Sequence, residues 1–282
     1  MKFALFGLHR GSSADPEALV RRARRAEDAG FESLWIGDHI ALPPGDPGDT
    51  GNPAEEPRLE VLATLAFLAA ATDRVRLATG VIVLPQRHPI LLAKQLATID
   101  VLSNGRLIVG VGVGYLEAEL AAFDVPLAER GARTDEFLAA MRTLWDSPTP
   151  AFDGRFVSFR NLIQRPRPVQ RPHPPIVIGG DSTAAFHRAV ASANGWYGWE
   201  LDVDRTASSL AALHGAASRI ERSPDLGELE ITVTPPGVLD LEMARRYSDL
   251  GVHRLAVQPA TTTDSTIDAL IDLVGDTLVG RI

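Results

Sequence analysis

Cysteine is absent from all 282 residues, which removes disulfides, thiolate catalysis and cysteine-held zinc or iron-sulfur centres together. Aromatic side chains are scarce, 6% of the chain against 45% apolar residues, so the interior must be aliphatic and rich in alanine. Basic residues are outnumbered: 28 Lys and Arg face 36 Asp and Glu, a formal charge of -8. Phosphate-backbone binding depends on a clear basic excess, so nucleic acid is not expected as a partner. No apolar run approaches the roughly 20 residues of a membrane span, and the opening Met1 to Leu8 is too short for a secretory leader. His9, His39 and His88 fall on different loops without ligand spacing, so no metal site is expected. These absences point to a cytoplasmic protein that acts on a small molecule. A homodimer is its expected assembly, since two-fold dimers are the commonest symmetric oligomers.

What is present is an alternation of strand-like runs and helical patterns from end to end. The strands read as Phe3 to Leu8, Ser33 to Gly37, Val75 to Leu84, Leu107 to Val113, Ile176 to Ile178, Trp196 to Trp199, Leu229 to Val233 and Leu255 to Val257. Between them lie helical patterns. The first has Asp15 as N-cap, Pro16 at the first helical position and Gly30 past its end. Others carry apolar stripes Leu62, Leu65, Ala66 and Ala69; Leu92, Leu96 and Ile99; and Phe137, Met141, Leu144 and Trp145. Four more are expected at 182–194, 204–221, 240–250 and 265–279. Prolines 43, 44, 47 and 53 rule out regular structure in the loop after the second strand. Eight strands alternating with eight helices predict one α/β domain over residues 1–282, a (β/α)8 TIM barrel, with an open doubly wound sheet as the other architecture. The rhythm breaks at about 151–174, an insertion between units four and five. Phe152 to Phe156 reads there as a hairpin with an Asp-Gly turn, followed by five prolines. From Gly154 to Gly180 there is no acid but five arginines, at 155, 160, 165, 167 and 171, which reads as a basic surface for an anionic small molecule.

On such a barrel the chemistry sits on the loops after the strands. The second strand ends in Asp38-His39, either a capped loop end or an acid-base pair containing the one side chain type that titrates near neutrality. The third contains Thr79-Gly80-Val81, where a glycine inside a strand marks a bulge at a ligand or a plain barrel kink. The fourth ends in Gly110-Val111-Gly112-Val113-Gly114-Tyr115. Alternate glycines on one face leave a trough for a planar ring, or mark a tight place in the barrel; the spacing is not a dinucleotide fingerprint. After the fifth comes Gly179-Gly180-Asp181-Ser182 at a helix start, where bare amides suit a phosphate and Ser182 either caps the helix or contacts the anion.

Four ordered segments carry a family resemblance: Ala-Gly-Phe-Glu-Ser-Leu-Trp-Ile-Gly-Asp-His at 29–39, Thr-Gly-Val-Ile-Val-Leu-Pro-Gln-Arg-His-Pro at 79–89, Leu-Ala-Thr-Ile-Asp-Val-Leu-Ser-Asn-Gly-Arg at 96–106 and Pro-Pro-Ile-Val-Ile-Gly-Gly at 174–180. They resemble the bacterial luciferase-like flavin and deazaflavin oxidoreductases over nearly the whole chain. The opening segment most resembles the actinobacterial branch that uses coenzyme F420. The resemblance implies a barrel holding a flavin-like ring at the strand ends. Thr79, Gly80 and Val81 would form the bulge behind it, often with a non-proline cis peptide. Gly112, Val113 and Gly114 would line its edge, and Gly179, Gly180, Asp181 and Ser182 would hold the coenzyme phosphate. His39 would be the acid-base residue, with Asp38 orienting it or the loop. The implied activity is hydride transfer between F420 and a small organic substrate. The alternatives are an FMN-dependent monooxygenase and a non-catalytic flavin-binding protein. In one respect the chain departs from the pattern: some deazaflavin dehydrogenases carry a glutamate directly after the fourth-strand glycines, and Tyr115 stands there.

Overall fold

The computed structural model describes residues 1–44 and 54–282; Pro47 and Pro53 of the long loop lie outside the described residues. Eight parallel barrel positions close on themselves. They are β1 (Lys2–Phe6), β2 (Ser33–Ile36), the split pair β3 (Arg76–Thr79) and β4 (Ile82–Val83), β5 (Leu107–Gly112), β8 (Ile176–Gly179), β9 (Gly195–Gly198), β10 (Glu230–Val233) and β11 (Arg254–Val257). Closure is the β1–β11 ladder, with Phe3 opposite Leu255 and Leu5 opposite Val257. The expected third strand is interrupted at the cis peptide Gly80-Val81, and both of its halves pair with β5.

The helices are α1 (Pro16–Asp28), α2 (Val61–Ala71), α3 (Pro89–Leu102), α4 (Glu117–Ala121), α5 (Arg130–Asp146), α6 (Thr183–Ser192), α7 (Val203–Ala217), α8 (Leu241–Asp249) and α9 (Asp264–Thr277). Among the described residues α4 is one helix more than the alternation predicts, too short to show a periodicity. Local chemistry sets the ends of α1: the Asp15 carboxylate accepts from the Ala18 amide at 2.9 Å, and Gly30 takes φ +88° after the last turn. No described helix is long and apolar enough to cross a membrane.

Two apolar layers hold the barrel. The outer one packs helices against strands. The inner one interleaves the large Phe6, Trp35 and Tyr197 with the small Ala4, Ala78 and Ala256, the filling a closed eight-strand barrel requires. Arg254, fully buried at the start of β11, closes the base. It pairs with Glu32 (2.8 Å) and Glu230 (2.9 Å) and lies over the Trp35 ring. Burial opposes its charge, but the two carboxylates outweigh burial and raise the guanidinium above its ordinary value.

After α5, β6 (Phe152–Asp153) and β7 (Ser158–Phe159) form an antiparallel hairpin with Phe152 opposite Phe159. Its turn is a four-residue loop, tied by Glu136 of α5, whose carboxylate accepts from the amides of Arg155, Phe156 and Val157. The arginines of this stretch do not form the expected basic surface towards a ligand. Arg155 pairs with Glu129, Arg160 with Asp153, and Arg165, Arg167 and Arg171 donate to backbone carbonyls. The stretch lies along α3 and α5, and none of the five lines the cavity described next.

Candidate active site

The carboxyl ends of the strands surround a cavity of about 220 Å³. It is lined by residues from six strand ends and the loops after them, among them Asp38-His39, Gly80-Val81, Gly112 to Tyr115 and Gly179-Gly180. Its floor is the bulge. Ideal Cβ atoms on Gly110, Gly112 and Gly179 would stand 3.1, 2.8 and 3.0 Å from Val81 methyl carbons. Gly110 and Gly112, two of the glycines that read as a trough, therefore make room for the Val81 side chain, and Val81 lines the cavity. Thr79 is fully buried below it. Its hydroxyl donates to the Gly110 carbonyl at 2.6 Å, joining β3 to β5, and the residue is not part of the lining.

His39 reaches the cavity with its side chain 14% exposed. Its Nδ1 lies 3.2 Å from Glu119 Oε2, while Glu119 Oε1 accepts from the amides of Ile40 (2.7 Å) and Ala41 (3.3 Å). Burial works against the Glu119 charge, but the bonds from His39 and the two amides outweigh it and hold the carboxyl below its usual range. An ionised carboxylate only accepts, so Nδ1 carries the hydrogen and Nε2 is the nitrogen free to exchange a proton. Glu119 sits on α4, four residues past Tyr115, whose ring meets that of His39 edge-on at 6.0 Å. Tyr115 stands directly after the fourth-strand glycines, and an acid reaches the histidine from the next helix.

No hydrogen bond joins Asp38 to His39 among the described residues. The Asp38 carboxylate takes two bonds from Arg87, at 2.5 and 2.8 Å, and one from the Val83 amide at 2.9 Å, pinning the segment after the bulge. Burial lifts this carboxyl above its usual value against the pull of Arg87, and the same contact raises Arg87. At the expected phosphate cradle several groups have partners within the protein. Gly179 and Gly180 line the cavity, but the Gly180 amide donates to Tyr197 O at 3.2 Å. Ser182 caps α6 by accepting from Ala185 N at 3.2 Å, and Asp181 pairs with Arg205 at 3.2 Å. An N-cap serine completes a helix start whether or not an anion is present.

Three groups that the sequence reading passed over line the same cavity: His9 and Arg10 after β1, and Trp199 after β9. His9 is buried, and burial first, then the charges of Arg10 and Arg58, pushes its imidazole down to about 3. An unfolded histidine binds its proton near 6.5, so the folded state is penalised only as the pH falls from there towards 3. Stability is therefore expected to drop over that interval by up to about 1.4 kcal/mol per pH unit, and His9→Gln to lose about 2 kcal/mol less than the parent between about pH 7.5 and 5. Urea titrations at the two pH values test this; parallel losses in both proteins would refute it.

The model of the luciferase-like monooxygenase family matches residues 1–258, and the chain belongs to that family. It is 34% identical over 241 residues to an uncharacterised protein of Mycobacterium tuberculosis, covering 82% of this chain and 83% of that one. Over 133 residues it is 39% identical to an FMNH2-dependent dimethylsulfone monooxygenase of Pseudomonas putida, 46% of this chain and 36% of the other. The structure of an F420-dependent secondary alcohol dehydrogenase in complex with an F420-acetone adduct superposes with a TM-score of 0.81 at 16% identity, covering 98% of both chains. The expected family and barrel are thus both found.

Proposed function

We propose that the protein is an oxidoreductase that moves a hydride between coenzyme F420 and a small organic substrate, with His39 as its acid-base residue. The observation that carries this reading is His39 held by Glu119 with Nε2 left for a ligand that rests on the Val81 floor. The residues fit a planar ring: the bulge offers an apolar face, and the bare backbone of Gly112 and Gly114, with Val113 between them, edges it. Gly179-Gly180 and the first turn of α6 would hold a phosphate through the helix-start amides left over by the cap. When bound, the coenzyme supplies a hydride donor or acceptor, the electronic step that the protein's own side chains cannot perform.

The chain's own part follows from these positions. Val81 and the glycine edge orient the ring, Arg87 and Asp38 fix the bulge from behind, and apolar walls keep water from the hydride path. When an alcohol is oxidised, its carbon loses a hydride while His39 Nε2 accepts the hydroxyl proton. In the reverse direction the imidazolium returns that proton to the oxygen. Glu119 stabilises the protonated ring and holds its orientation.

The FMN-dependent monooxygenase remains the second reading, favoured by the Pseudomonas putida relative. Purified protein titrated with F420 and with FMN, followed by coenzyme fluorescence and by oxygen uptake, separates the two. The hydride-transfer reading expects tighter binding of F420 and no oxygen uptake. Tighter FMN binding with oxygen consumed on reduction would overturn it in favour of the second, and binding of either without turnover on any substrate panel would leave a flavin-binding protein.

A further inference from the structure

On one wall of the cavity Arg10, Trp199 and His9 carry buried polar nitrogens that have no hydrogen-bond partner among the described residues. Arg10 is 2% exposed, yet its Nε and Nη1 have no hydrogen-bond partner. The indole nitrogen of Trp199 and Nδ1 of His9, on the same wall, are also buried without a partner. Native proteins pair nearly all such groups, and an unpaired buried guanidinium is among the costliest exceptions. The fold gives the arginine its place deliberately. Gly7, at φ +97°, sets its missing side chain 3.3 Å from Arg10 Nε, and the segment after β1 pairs with the one before α2, Arg10 opposite Arg58. Like charges directly opposed repel. Glu56 reaches Arg58 at 3.6 Å, and Glu200 receives Gln258, but neither forms an ion pair with Arg10 among the described residues. Burial, with Arg58 beside it, pushes the Arg10 guanidinium down to about 10 against the pull of Glu56, so it remains charged at neutral pH.

The order of the sheet says which ligand this wall meets. Around the closed ring, β8 stands four positions from β1 in either direction. A coenzyme anchored by Gly179-Gly180 after β8 therefore leaves the wall after β1 facing whatever lies beyond the ring. We propose that Arg10 binds the carboxylate of the substrate, aided by Trp199, which makes that substrate a small organic acid with an apolar body. The carboxylate answers the orphan donors, and Phe6, Trp199 and Val81 supply apolar surface around them. The inference rests on the proposed placing of the coenzyme for its geometry, but the binding it predicts is measurable without turnover.

Calorimetric titration of the coenzyme-loaded protein with benzoate and its neutral isostere benzamide, and with hexanoate and hexanamide, tests it. The acids are expected to bind about 10- to 100-fold tighter than the amides, the value of a charge-assisted bond. In Arg10→Met the preference should vanish, coenzyme affinity should stay within a few fold, and the melting midpoint of the free protein should rise, because a desolvated guanidinium with two donors left without acceptors has been replaced by an apolar side chain of similar length. Equal affinity for acid and amide in the parent would overturn the inference, as would a preference that survives in Arg10→Met. A loss of coenzyme affinity matching the loss of benzoate would overturn it too, by assigning the orphan donors to the coenzyme. Failure of both coenzymes to bind strikes the proposed function instead, and the titration of the free protein then still decides whether the Arg10 wall takes an acid.

Discussion

Replacing His39 by alanine is expected to lower turnover by about 10²- to 10⁴-fold while coenzyme affinity stays within a few fold, the range for loss of a general acid-base group. The split follows from position. His39 lines the cavity, whereas the surfaces proposed to hold the coenzyme are Val81 and the glycines of β5 and β8, which the substitution leaves in place. Glu119→Gln extends the test to the residue behind the imidazole. A glutamine keeps one carbonyl oxygen for the Ile40 and Ala41 amides, so the loop stays anchored, but it presents a neutral amide to Nδ1 in place of the carboxylate at 3.2 Å. Turnover is expected to fall by on the order of 10-fold with KM little changed, since the carboxylate that balances the charge arising on the imidazole during the reaction is what has been removed. A purely structural Glu119 would move stability and leave turnover of the folded enzyme alone. Full activity of His39→Ala on an identified substrate would remove the histidine from the mechanism.

The parts of the molecule legible in the sequence are those set by local chemistry. Asp15, Pro16 and Gly30 bound α1 because capping, a preset φ and a left-handed exit are decided within a few residues. The alternation of apolar runs carried the barrel, and Gly80 marked the interruption of its third strand. The pairings that make the cavity were not legible, because they join residues far apart through irregular chain. Glu119 reaches His39 from a five-residue helix that shows no period, and nothing near Tyr115 singles it out from Glu117 two residues before. Arg10 and Arg58 meet through one isolated bridge between loops. The partner of Asp38 was hidden for a related reason. Adjacency to His39 suggested a pair, but consecutive side chains leave an extended segment in opposite directions, and Asp38 turns to Arg87, 49 residues on. The alternate glycines were visible but not their use, which depends on where the β3–β4 bulge places Val81.

That use makes Gly110 the position where one methyl group should cost most. An ideal Cβ there would lie 2.0 Å from the backbone oxygen of Thr79 and 3.1 Å from a Val81 methyl. A flexible side chain could swing aside, but a carbonyl oxygen on the neighbouring strand cannot. The same junction holds the bond from the Thr79 hydroxyl to the Gly110 carbonyl, so separating the strands to admit the methyl breaks it. Gly110→Ala is expected to destabilise the fold by about 3 kcal/mol or more, at the upper end for overpacking, and to lower the melting midpoint by on the order of 10 °C. Because the displaced segment carries Val81, coenzyme binding should weaken with it. Gly215→Ala is the matching control. It lies in α7 with nothing within 4 Å of its ideal Cβ, and alanine there is expected to raise stability by about 0.5 to 1 kcal/mol through helix propensity alone. Chemical denaturation of both variants measures the contrast. If Gly110→Ala melts with the parent, the bulge does not depend on the bare β5 backbone, and the account of the cavity floor as a packed junction falls with it.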